Sequence, residues 1–135
     1  MIGLDTNALV RYLAQDEPKQ VARARRLIEE ELSVFEPVFI SLVVLAKSCR
    51  VLKRLYSASA DELLATVDDL LNTPRFQLDR REVVAATVQF MKAGEGAKAG
   101  FADALIAQLA AAQGCLRIVS FDKAAVRSAG MALLA

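Results

Sequence analysis

The stretch Met1–Thr6, MIGLDT, decides how the rest of the chain is read. A short apolar run ends on Asp5, and helical spacing starts at once with Thr6, Asn7, Ala8, Leu9 and Val10. A carboxylate at that junction stands at the end of a buried strand, in the crevice where open α/β sheets place their ligands. Asp103 and Asp122 stand at comparable junctions further on. The pattern predicts an acidic pocket assembled from three distant segments.

Outward from this junction, strands alternate with helices. Residues 2–5 read as a strand and 6–14 as a helix, and Asp16, Glu17 and Pro18 start a second helix over 19–32. Pro37–Ile40 is a β-rich run, and Ser41 is placed to cap a helix reaching Tyr56. The next helix begins at Ser59 or Ala60, carries Asp61 and Glu62 in its first turn, and ends near Asn72. Phe76–Leu78 reads as a weak strand, Asp79 as the cap of a helix through Met91, and Ala93–Gly100 as a loop. Phe101–Ala112 is an alanine-rich helix stopped by Gly114, and Arg117–Ser120 is a strand leading to Asp122 and a short last helix. This alternation predicts one α/β domain over 1–135, a parallel sheet covered by helices on both faces. Right-handed crossovers then put Asp5, Ser41 and Asp122 on one edge.

Composition removes whole classes of chemistry. With no histidine, imidazole acid–base catalysis, Ser-His-Asp triads and the common zinc sites are excluded. Cys49 and Cys115 form no CxxC pair, and two unpaired thiols fit a cytoplasmic, reducing setting. No signal-peptide pattern opens the chain, and no apolar run approaches the ~20 residues of a bilayer span, so no membrane is expected. The net charge of +1 does not announce a nucleic-acid binder. The basic residues are uneven, however, with Arg23, Arg25 and Arg26 in one helix and Arg50, Lys53 and Arg54 in another. For both clusters a solvated helix face is the simpler expectation and a phosphate track the sharper one.

Taken singly, each aspartate has a structural role open to it, as a helix cap or as a first-turn charge worth ~0.3–1 kcal/mol. Three at one sheet edge repel one another unless a hard cation neutralises them. Mg²⁺ prefers oxygen ligands and supports phosphodiester displacement.

The segments IGLDTNALVRYLAQDEP, EPVFISLVVLA, FADALIAQLAAAQGC and IVSFDKAAVR, in this order, resemble the PIN-domain nucleases, and among them the VapC toxins of bacterial toxin–antitoxin pairs. The resemblance spans essentially the whole chain. It implies a three-layer α/β/α fold around a parallel sheet of about five strands, and Mg²⁺- or Mn²⁺-dependent cleavage of RNA. It implies Asp5, Asp103 and Asp122 as catalytic metal ligands, with Thr6, Asn7, Ser41 and Ser120 lining the same pocket. A cognate antitoxin protein and a homodimer are the implied partners.

Two residues depart from the family pattern. Lys47, in VVLAKS, stands where a glutamate belongs, and Gly100 precedes FAD where the family often reads DFAD or NFAD. Both are expected at the pocket. Lys47 follows Val43 and Val44 and precedes Val51 at helical spacing, so it either snorkels from an apolar stripe or points at the aspartates. In the second case its positive charge partly replaces a metal. The expectation is a VapC-like endoribonuclease with Lys47 as its point of weakening, and the competing one is a catalytically impaired domain serving as an antitoxin-binding or oligomerisation module. A phosphotransfer domain is disfavoured, because Asn7 breaks the D-x-D pattern and no GxGxxG or Walker-A run exists.

Overall fold

The computed structural model describes residues 1–14, 16–93 and 100–134. Strands β1 (Ile2–Gly3), β2 (Val38–Ile40) and β3 (Phe76–Leu78) form a parallel sheet in the order β1-β2-β3. Ile2 lies opposite Val38 and Val38 opposite Phe76. The two remaining strands, β4 (Val119–Ser120) and β5 (Ala132–Leu133), pair with each other, also in parallel. The expected parallel α/β architecture is thus present, but the five strands divide into sheets of three and two. β4 spans two residues where four were expected. β5 comes from an apolar run too short to read as a strand on its own.

The helices are α1 (Thr6–Ala14), α2 (Pro18–Arg25), α3 (Leu42–Leu55), α4 (Ala60–Leu71), α5 (Arg81–Lys92), α6 (Phe101–Ala112) and α7 (Lys123–Ala129). Most start where the sequence provides a cap. Ser41 Oγ accepts from Val44 N–H at the head of α3, and Ser59 and Glu62 satisfy each other's backbone N–H groups at the head of α4. Gly114 and Gly130 follow α6 and α7 with positive φ, the conformation a side chain would strain.

Two local expectations are corrected. Helix 19–32 is not uniform, since α2 widens over Arg26–Glu31 into i→i+5 bonding, with Leu32 N–H donating to Leu27 O. The widened turn leaves the Ile28 carbonyl to Arg75, whose Nη1 donates to it at 3.0 Å, while the Ile28 side chain is fully buried. Asp79 does not cap α5. Arg80, in the left-handed region, precedes that helix, and Asp79 Oδ2 instead accepts from Leu42 N–H at 3.5 Å. The loop expected at Ala93–Gly100 lies, apart from its two ends, outside the described residues.

The core gathers one face of every layer, with Leu9 and Val10 from α1, Val38 and Ile40 from β2, Leu45 from α3, Val67 from α4 and Val84 from α5. α1, which follows β1, packs on α3, which follows β2, and α3 packs on α6. Leu9 is 0% exposed, so Leu9→Ala should cost about 2–5 kcal/mol, read as a lower urea midpoint with an unchanged slope.

Candidate functional site

Asp5 leaves β1 directly into α1. Its carbonyl accepts the Leu9 N–H at 3.1 Å, and its carboxylate Oδ1 accepts the Thr6 N–H at 2.7 Å. The carboxylate is exposed, and beside it opens a cavity of about 350 Å³. Asp5, Thr6, Asn7, Val10 and Arg11 line one wall, and Lys47, Val51, Leu55 and Tyr56 the other. Lys47, Val51 and Leu55 recur every four residues, so a single stripe of α3 faces the end of β1. Lys47 therefore shares a cavity with Asp5.

The two cations of this cavity differ in their company. Arg11 is held by its Nε donating to Gln20 at 2.7 Å, by Nη1 donating to Tyr56 Oη at 3.1 Å, and by an ion pair with Asp16 at 3.6 Å. Tyr56 donates to Asp16 Oδ2 at 2.5 Å. That hydrogen bond holds the Asp16 carboxyl below its ordinary range and pushes the Tyr56 hydroxyl above its own. Lys47 is paired with no carboxylate among the described residues. Thr6 Oγ1 is buried and has no hydrogen-bond partner among the described residues.

The other aspartates lie elsewhere. Asp103, half-buried in the first turn of α6, lines a second cavity of about 220 Å³ with Gly100, Cys49, Arg50 and Lys53. Asp122 is exposed and its Oδ1 caps α7, accepting the Ala124 N–H at 2.9 Å. Of the remaining pocket residues expected, Thr6, Asn7 and Lys47 line the Asp5 cavity, whereas Ser41, Gly100 and Ser120 do not. The Ser41 hydroxyl is engaged as the α3 cap, and Ser120 Oγ accepts the Asp122 N–H at 3.0 Å. Among the described residues no three Asp, Glu, His or Cys side chains gather closely enough to hold a metal ion. Among the described residues β4 pairs with β5 and not with the sheet that carries Asp5, so strand pairing does not bring Asp122 beside Asp5. Cys49 supplies no nucleophile, since burial pushes its thiol up to about 12.

Comparison with protein families matches residues 2–130 to the PIN domain. The chain belongs to the PIN-domain family. No curated protein and no solved structure gives a significant match. PIN domains are typically divalent-metal-dependent nucleases, so membership marks a nuclease fold and a nucleic-acid ligand. In this PIN domain the cavity at the first aspartate holds one carboxylate against two cations. No helix among the described residues is long and apolar enough to cross a membrane.

Sequence reasoning missed Arg11 and Tyr56 as cavity residues. Arg11 was legible, standing one helical turn beyond Asn7, while Tyr56 follows the end of α3 and needed the packing of α1 on α3. The Tyr56–Asp16 bond has a titration signature. Asp16 has a depressed folded pKa, so its contribution is present above the ordinary carboxylate range and lost as pH falls through the folded value. Tyr56→Phe should move the Asp16 carboxyl titration, followed by carbon NMR, upward toward the ordinary range; an unmoved titration would refute the contact.

Proposed function

We propose that this PIN domain is a VapC-like RNA-directed domain in which RNA binding outlasts hydrolysis. On this reading Asp5, Asp103 and Asp122 are the remnant of a Mg²⁺- or Mn²⁺-dependent endoribonuclease site, weakened where Lys47 replaces the family glutamate. The observation that carries the reading is Lys47 lining the Asp5 cavity. A divalent cation entering beside an ammonium meets repulsion of about 4 kcal/mol per pair of unit charges at ~4 Å and an effective dielectric of about 20. The same ammonium attracts a phosphate, and the Asn7 amide adds hydrogen-bonding groups on the opposite wall.

The two free thiols, Cys49 and Cys115, support a cytoplasmic setting. A cognate antitoxin and a homodimer complete the toxin–antitoxin reading. The competing function, a module for antitoxin or self-association, is favoured by Val34 and Phe35, which are 60% and 93% exposed. Val34 borders a cavity walled by Pro37, Leu71, Phe76 and Leu78.

Lys47→Glu tests the proposal. It should tighten Mn²⁺ binding by about tenfold or more in calorimetry, given the size of the charge reversal, and should raise Mn²⁺-dependent cleavage of single-stranded RNA. Equal metal affinity and equal cleavage in the two proteins would refute the role given to Lys47.

A further inference from the structure

The two basic clusters of the sequence meet different fates in the structure. On α2 and its widened turn, Arg23, Arg25 and Arg26 pair with Glu29, Glu30 and Glu31 at 3.3–3.9 Å. That cluster is neutralised and is a solvated helix face. On α3, Lys47, Arg50, Lys53 and Arg54 are all exposed, the helix contains no acidic residue, and none of the four pairs with a carboxylate among the described residues. Leaving four like charges within two turns uncompensated is unfavourable in the free protein, and a polyanion laid along them removes that cost.

Their placement gives the polyanion a path. Lys47, Arg50 and Arg54 follow i, i+3, i+7 spacing on one face and span about 10 Å along the axis. At one end Lys47 borders the Asp5 cavity, while Arg50 and Lys53 border the second cavity across the helix. Among the described residues Asp103 is the one carboxylate lining that second cavity. The α3 ridge therefore separates two cavities and carries cations into both.

We propose that the exposed face of α3 is the backbone track for single-stranded RNA, with successive phosphates lying on Lys47, Arg50, Lys53 and Arg54. This rests on RNA being the ligand class of the proposed function and adds the surface that holds it outside the Asp5 cavity. Cations of this kind position the strand without reading its bases, so binding is tolerant of sequence and steep in salt.

The test is fluorescence anisotropy of a labelled oligouridylate with the full chain in EDTA, titrated between about 50 and 200 mM KCl. Removing three phosphate contacts by Arg50→Ala, Lys53→Ala and Arg54→Ala together should flatten the log–log salt slope by about 2 and weaken binding at least tenfold at ~50 mM salt. The slope should be retained by Arg50→Lys with Arg54→Lys, and also by Arg25→Ala with Arg26→Ala on the neutralised helix. Circular dichroism of the triple variant accompanies the titration; should it unfold, single Arg50→Gln and Arg54→Gln variants, each flattening the slope by about 0.7, take its place. An unchanged slope overturns the proposal. So does tighter binding of polyglutamate than of RNA that is lost in the same variants, which would make α3 a site for an acidic protein. Because the readout excludes metal and cleavage, RNA binding through α3 stands even if Lys47→Glu gains no activity, and a flat result here leaves the Lys47 reading intact.

Discussion

The parallel pairing of β1 with β2 is the constraint on which the site depends. Gly3 opposite Phe39, with Leu4 N–H donating to the Phe39 carbonyl at 3.1 Å, makes both strands end on the same edge. α1 and α3 must then start side by side and pack on each other. Lys47 lies one and a half turns into α3, and this packing brings it to the Asp5 cavity. A single residue of slip between the strands would send the apolar residues of β2 to the wrong face, so Val38 and Ile40, at most 1% exposed, lock the register.

Given that geometry, electrostatics explains the rest. Arg11 brings its own counter-charge through Asp16 and Tyr56, while Lys47 brings none among the described residues. On the proposed reading, an unpaired cation at the wall of the cavity makes it better suited to an anion than to a metal. The same contrast recurs on a larger scale between the α2 arginines, matched by glutamates, and the α3 cations, matched by none among the described residues. Total charge near zero hides this separation, because it does not show that the α3 cations have no acidic residue on their own helix.

Much of the fold was legible because local signals agreed with one another. Ser41 and Ser59 mark helix starts, Gly114 marks a stop, and α1, α3 and α6 occupy the expected segments. The split of the sheet was not legible, because strand neighbours are set by tertiary pairing and β4 and β5 are only two residues each. The exchange of Asp79 from the head of α5 to the head of α3 was hidden for a similar reason. Its carboxylate answers an N–H from a segment 37 residues away. In the site, Asp5, Thr6, Asn7 and Lys47 were readable from one strand–helix junction and one helix stripe. The convergence of Asp103 and Asp122 on Asp5 is an expectation from strand–helix alternation and from the family resemblance, and alternation fixes strand ends but not which strands are neighbours.

On the proposed reading, Lys47, and not a divalent cation, is the charge that faces Asp5. Anomalous X-ray diffraction from crystals of the unmodified chain soaked in Mn²⁺ tests it most directly. The expected map shows the Lys47 side chain in the cavity beside Asp5 and no manganese peak there. A manganese peak bound by Asp5 together with Asp103 and Asp122 would contradict it.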